Sequence, residues 1–143
     1  MDVDRDGLAE RLDDVVTALR RLTLTRTGLS LTALGTLATL RRQGPTRLTD
    51  LAAGEGVAQP SMTTLVARLA AQGLVARQGD PTDRRAVLIS LTDEGGQLLD
   101  RRRADRAERL LGPLTGLSDD DARVISDALP ALARLAGVLH PST

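Results

Sequence analysis

Gln59, Ser61, Thr63, Thr64 and Arg68 recur at intervals that place them on one side of a helix, with Ala67 among them and no carboxylate. Residues of these types can read base edges. Gln pairs with adenine, Thr accepts, donates or touches a thymine methyl, and Arg suits guanine or phosphate. A helix entering the major groove needs such a face, because an acid would repel phosphate and a bulky side chain would hold the backbone away. The plain alternative is a soluble surface helix, but such helices usually carry Glu and this face carries none. A second cluster lies at Asp80-Pro81-Thr82-Asp83-Arg84-Arg85, a turn-rich segment with two adjacent arginines between strand-like runs. Arginines on a projecting turn suit a narrow minor groove. Asp83 is expected to hold one of them, and Asp80-Pro81 to shape the turn. The alternative here is a surface cluster in which Arg84 and Arg85 pair only with Asp80 and Asp83.

Catalytic chemistry finds little support. The single His, His140, sits near the C-terminus, and the chain has no Cys. No nucleophile–base pair, phosphate-cradling glycine loop or metal-ligand spacing is present. Asp119-Asp120-Asp121 reads as favourable charge at a helix start rather than a cation site. The expectation is a protein that is not an enzyme and has no cofactor and no metal.

There is no Phe, Tyr or Trp, so Leu, Val, Ile and Ala must fill the core. Each buried Leu or Val contributes roughly 1.5–3 kcal/mol, so burial must be spread over several helices. Lys is absent, so apart from His140 every basic residue is Arg, whose planar fork matches phosphate and guanine. The formal net charge is zero, yet positive charge is concentrated in the middle of the chain. Arg41, Arg42, Arg47, Arg68, Arg77, Arg84 and Arg85 face only Asp50, Glu55, Asp80 and Asp83 there. No secretory leader and no membrane span is expected, which places the protein in the cytoplasm.

The elements that must position these residues follow from periodicity. Leu8, Leu12, Val15, Val16, Leu19 and Leu22 mark an amphipathic first helix. A second, capped near Ser30 or Thr32, carries Leu34, Leu37 and Leu40 and stops at Gly44-Pro45. A short third runs from about Leu48 to Ala53. A fourth starts near Pro60, ends before Gly73, and turns Met62, Leu65, Val66 and Leu69 inward. Two strands follow, Leu74–Gln78 and Ala86–Leu91, and they must pack on the preceding helices. Thr92-Asp93-Glu94 opens a long helix reaching about Leu111, before Gly112-Pro113. Its middle, including Arg101/Asp105 and Asp105/Arg109, reads as a salt-bridge-laced span, with Arg101-Arg102-Arg103 on a solvated face that could alternatively touch phosphate. Ser118-Asp119-Asp120-Asp121 resembles a capping box, opening a helix with Val124, Ile125, Leu129, Leu132, Leu135 and Leu139 inward. Pro130 should kink or interrupt it.

Helix, helix, tight turn, helix and hairpin is the layout of a winged helix-turn-helix. The resemblance to a family is carried by Leu48-Thr49-Asp50-Leu51-Ala52, by Gln59 through Leu69, and by Gly73-Leu74-Val75-Ala76-Arg77. It continues from Asp80 through Arg85 and on to Leu91-Thr92-Asp93-Glu94-Gly95. These segments resemble the MarR family of bacterial repressors. The implied fold is mainly α with a small two-stranded β wing. Residues 1–28 would form an N-terminal dimerisation helix, 29–92 the DNA-binding domain, and 93–143 a linker helix and C-terminal dimerisation helix. The resemblance implies a homodimeric regulator on a pseudo-palindromic operator in double-stranded DNA. Contacts are expected from Gln59, Pro60, Ser61, Thr63, Thr64 and Arg68, and minor-groove insertion from Arg84 or Arg85, with Arg85 preferred. Arg47 and Arg77 are the candidates for phosphate. Ala58 departs from the family, which often places a capping Ser there. Leu8, Leu12, Val15, Leu19, Leu129, Leu132 and Leu135 would line the dimer interface. A small organic acid is the effector such regulators often take, and Arg20, Arg21 or Arg26 could hold its carboxylate. Without Cys, oxidant sensing through a thiol is excluded. The competing reading is a winged-helix protein-interaction module, or an anti-regulator, without its own DNA target.

Overall fold

The computed structural model describes residues 3–23 and 28–139. Its elements in chain order are α1 (Arg5–Thr23), α2 (Leu31–Gln43), β1 (Thr46–Arg47), α3 (Leu48–Gly54), α4 (Gln59–Ala71), β2 (Val75–Gly79), β3 (Val87–Leu91), α5 (Asp93–Thr115) and α6 (Asp119–Leu139). Arg26 and His140 lie outside the described residues, as do the side chains of Leu22 and Leu139. The chain divides into two compact units, residues 26–103 and residues 1–25 with 104–143. The first therefore takes in the opening turns of α5 as well as the winged segment.

In unit 26–103 the core is aliphatic throughout. Ala33, Leu37 and Leu40 of α2 meet Leu51 and Ala52 of α3, Met62, Val66 and Leu69 of α4, Leu74, Val75 and Ile89. All eleven are buried, and Leu48, Leu65, Leu91, Leu98 and Leu99 pack around them. Aliphatic side chains, with Met62, from five elements and the turn before β2 thus do the work that aromatic rings would otherwise share.

Local signals set the helix ends. Ser30 Oγ accepts the Ala33 N–H at 3.1 Å and starts α2. After α4, the Gly73 N–H reaches the Ala70 carbonyl and the Leu74 N–H the Leu69 carbonyl, a paired closure that needs the positive φ of 73° at Gly73. The chain leaves that turn directly into β2, which fixes where the wing begins.

The hairpin carries a third strand that periodicity does not reveal. The sheet order is β1-β3-β2, antiparallel, with Thr46 opposite Ile89 and Arg47 opposite Leu88. Two residues are too few to show an alternation, and Pro45 before them reads as a turn. In β2–β3 the register runs from Val75 opposite Leu91 to Gly79 opposite Val87. The opening of α5 packs closely on this sheet. Gly95 is buried, and a Cβ there would run into the Leu74 carbonyl oxygen and Leu91 Cδ1.

In the other unit Pro113 and Pro130 sit inside helices. α5 passes through Gly112-Pro113 to Thr115, and α6 is continuous through Pro130. Proline removes one N–H and leaves the flanking bonds in place, so a stop at Gly112-Pro113 and an interruption at Pro130 were not required. Beyond Pro113 the chain tightens, with Gly116 and Leu117 bonding the carbonyls of Pro113 and Leu114. Ser118 forms the expected box in part, accepting the Asp121 N–H at 3.1 Å and donating to its carboxylate at 2.7 Å. The salt-bridge-laced reading of α5 is corrected. Asp105 makes no ion pair among the described residues, and Arg102 is buried rather than solvated. The acid of that stretch that does pair, Asp100, takes Arg41 of α2 at 2.5 Å.

Candidate nucleic-acid interface

Helix α4 has two distinct sides. Met62, Val66 and Leu69 are buried and Leu65 is half-buried, whereas Gln59, Pro60, Ser61, Thr63, Thr64, Ala67 and Arg68 are exposed. The apolar side holds the helix on the core, so the polar side must face outward. It carries no acid over its whole length. The N-cap is Ala58, in extended conformation and without a side-chain hydrogen bond of its own. Thr63 and Thr64 turn their hydroxyls back onto the helix, donating to the carbonyls of Gln59 (3.0 Å) and Pro60 (3.1 Å).

The wing loop is built on Asp80, which is nearly buried. One carboxylate oxygen accepts the Thr82 N–H at 2.9 Å and its hydroxyl at 2.7 Å. The other accepts Arg47 Nε at 2.9 Å, with Nη2 at 2.7 Å. The Thr82 bonds, foremost, and then Arg47 pull the Asp80 pKa down to about 2. Arg47 in turn is held more firmly protonated by its bond to Asp80. Asp80 therefore does more than shape a turn: it ties the loop to β1.

Asp83 differs from expectation. Its carboxylate accepts the backbone N–H of Arg85 at 2.9 Å and does not hold a guanidinium. It orients the backbone that carries Arg85. Among the described residues neither Arg84 nor Arg85 has an ion-pair partner, so the paired surface cluster is not formed. Both are exposed at the tip of the hairpin.

Arg77 on β2 reaches across to α4, donating from Nη2 to the Thr63 carbonyl at 3.3 Å. Between α4 and the wing lies a groove of about 510 Å³ lined by Arg47, Gln59, Thr63, Arg77 and Arg85, together with Leu48, Thr49, Gln78, Gly79, Ala86 and Val87. Sequence reading singled out the first five separately, and the fold brings them together. Ser61, Thr64 and Arg68 lie on the exposed side of α4 outside this groove, and Arg84 lies at the tip. Thr49 and Gln78 went unnoticed, because they come to the groove through the placement of α3 and β2 beside α4, which periodicity does not reveal. The groove can take a polyanionic backbone: three guanidinium groups converge on it and no carboxylate lines it.

In the second unit the apolar stripes are uncovered. Leu8, Val15, Leu19, Leu129, Leu132 and Leu135 are between 41% and 55% exposed, and Leu12 is half-buried. Among the described residues no group of three or more His, Cys, Asp or Glu is arranged to hold a metal ion, and no helix is long and apolar enough to cross a membrane.

Comparison with known proteins agrees with this layout. The model of the MarR family matches residues 29–87. An HTH-type transcriptional regulator of Mycobacterium leprae is 36% identical over 107 residues, three quarters of each chain. The fold is that of the crystal structure of the Thermotoga maritima transcriptional regulator Tm0710 (TM-score 0.81, 23% identity, 96% of this chain and 99% of that one). The Bordetella bronchiseptica protein BpsR is also similar (TM-score 0.53, 25% identity, 92% and 99%), and its structure concerns regulation of DNA binding by 6-hydroxynicotinic acid. With a winged helix-turn-helix whose exposed face is acid-free and relatives that are regulators rather than enzymes, this chain belongs to the MarR family of transcriptional regulators.

Proposed function

We propose that this protein represses transcription by binding a pseudo-palindromic operator as a homodimer. The observation that carries the reading is the pairing, in one compact unit, of the acid-free face of α4 with the exposed arginines of the wing tip. Helix α4 would enter the major groove through Gln59, Ser61, Thr63, Thr64 and Arg68. Arg84 or Arg85 would reach the flanking minor groove, and Arg47 and Arg77 would meet phosphate along the groove between helix and wing.

The dimer reading is supported by the exposed stripes of α1 and α6, which a second copy would bury. Two-fold symmetry would then set the half-sites about one helical turn, ~34 Å, apart. A small organic acid as effector is supported by the relationship to BpsR; Arg20, Arg21 or Arg26 would hold its carboxylate. The absence of aromatic residues restricts any pocket to aliphatic walls. The compartment in this reading is the cytoplasm, where DNA and repressor meet.

The test is binding of the purified protein to the duplex upstream of its own coding sequence, against a scrambled duplex. The fluorophore goes on the DNA, because a chain without Trp or Tyr has almost no signal of its own. The expected result is much tighter binding to the natural fragment at ~150 mM salt, falling steeply as salt rises. Equal, weak binding of both duplexes would favour the protein-interaction module instead.

A further inference from the structure

Helix α4 faces outward with two threonines whose hydroxyl protons are already committed. Thr63 Oγ1 donates to the Gln59 carbonyl at 3.0 Å and Thr64 Oγ1 to the Pro60 carbonyl at 3.1 Å. Both residues are exposed, so nothing in the packing forces this choice. A hydroxyl has one proton, so neither threonine can also donate to a base. Turning Oγ1 back toward the preceding helical turn swings Cγ2 away from the bonded carbonyl and outward. Ala67, four residues after Thr63 and three after Thr64, adds a third methyl on the same side. The centre of the face therefore offers methyl groups and no free hydroxyl donor. Its polar groups lie at the ends: Gln59 and Ser61 in the first turn, Arg68 toward the last.

In the major groove the one apolar feature of a base pair is the thymine 5-methyl, whereas guanine and adenine N7, guanine O6 and thymine O4 all require a donor. We propose that α4 reads thymine 5-methyl groups through Cγ2 of Thr63 and Thr64, and that these threonines contribute specificity without donating hydrogen bonds to bases. The proposal rests on the DNA-binding reading above and deepens it. The operator half-site would carry thymine opposite the middle of α4, flanked by the positions that Gln59 and Arg68 read.

The experiment starts from the full-length protein and a random-sequence duplex pool at ~150 mM salt, and takes the enriched duplex as probe. Each thymine of a half-site is then replaced by deoxyuridine, which removes only the 5-methyl and leaves the protein untouched. At one or two positions affinity should fall about fourfold per methyl, the effect of returning one buried methyl to water. T63S or T64S, which keeps the hydroxyl and loses the methyl, should bind the thymine duplex about fourfold more weakly and no longer distinguish thymine from deoxyuridine at one of them. T63V or T64V keeps a methyl, loses the hydroxyl, and should bind within about twofold of the parent. The proposal is overturned if no thymine is sensitive to its methyl, or if the Val variants lose affinity where the Ser variants keep it. Enrichment of no sequence at all would instead overturn the DNA-binding reading beneath it.

Discussion

Arg47 and Asp80 stand 33 positions apart in the chain and form a two-pronged contact, Nε to Oδ2 at 2.9 Å and Nη2 to Oδ2 at 2.7 Å. The contact joins a strand of two residues to the loop that presents Arg84 and Arg85. Its second oxygen is saturated by Thr82, so Asp80 is the common anchor of both sides. The Asp80 pKa is lowered from 3.8 to about 2, which means the folded protein prefers the carboxylate. Stabilisation from this group is therefore present above about pH 4 and is lost as pH falls toward 2. D80N should be less stable than the parent at pH 7, with the difference shrinking over that acid window. Urea unfolding of both proteins from pH 7 to 2 measures it, and a constant difference down to pH 2 would assign the effect to packing instead.

The wing arginines should act as a pair distinct from Arg47. Neither Arg84 nor Arg85 has an ion-pair partner among the described residues, whereas Arg47 has already given two donors to Asp80. R84A/R85A should weaken operator binding by at least about tenfold, in the range that removal of good arginine contacts produces. For every phosphate that an arginine no longer neutralises, the slope of log affinity against log salt should also flatten by about 0.9. R47A should lower affinity less at pH 7 unless the wing itself loosens. Exchange of the Thr82 amide, which the Asp80 carboxylate holds, separates those two causes. If the double variant binds the operator as the parent does, the wing does not touch DNA.

Much of this site was legible in the sequence because it follows from simple periodicities. The inward set of α4 and the turn at Gly73 each follow from one local rule, and the first alone turns Gln59, Ser61, Thr63, Thr64 and Arg68 outward. What escaped is non-local. Strand β1 is defined only by its partners on β3, far along the chain, and a two-residue strand has no alternation to detect. The Arg47–Asp80 contact depends on that strand, so Asp80 could be read as a turn former but not as an anchor. Asp83 misled for the opposite reason. A carboxylate beside two arginines suggests an ion pair, yet the Arg85 amide is nearer in the turn and takes it first. The apolar stripes of α1 and α6 were visible as patterns, and Val15 and Leu129 on them are exposed.

Gly95 should tolerate no side chain. It lies in the first turn of α5, buried against the turn before β2 and the end of β3, and a Cβ would collide with the Leu74 carbonyl oxygen and with Leu91 Cδ1. Backbone cannot swing aside as a side-chain tip can. G95A gains helix propensity of roughly 0.5–1 kcal/mol but forces α5 off the sheet, an overpacking typically costing about 1–3 kcal/mol. The expected net result is a lower midpoint in urea. Gly96, next to it, meets nothing within 4 Å of a built Cβ, so G96A should be stabilised rather than weakened.

Glu55 should destabilise the neutral-pH protein relative to its amide. Its carboxylate lies at the end of α3 against Gly35 of α2, and burial raises its pKa, with Arg42 opposing. A raised carboxylate pKa means that stability from this group is present below its unfolded value and declines as pH rises through the folded one. E55Q cannot ionise. It should therefore exceed the parent in stability at pH 7 and lose that advantage below about pH 4. Unfolding curves at the two pH values check the sign; an advantage that does not change with pH would place the effect in packing against Gly35.

Ala58 should accept a capping serine. Its backbone, φ −65° and ψ 144°, is nearly that of Ser30, φ −69° and ψ 162°, which caps α2 by accepting the N–H three residues on at 3.1 Å. Ser118 does the same for Asp121 at 3.1 Å. In A58S the new hydroxyl should accept the N–H of Ser61 in that geometry, stabilising the chain by about 1 kcal/mol, within the roughly 0.5–2 kcal/mol that such caps are worth. S30A should move stability by a similar amount in the opposite direction. Both are read from the urea midpoint at constant protein concentration, since self-association would make the midpoint depend on it. An A58S chain that gains nothing while S30A loses the usual amount would mean that the Ser61 N–H is already satisfied, and that the first turn of α4 has no vacancy for a cap to fill.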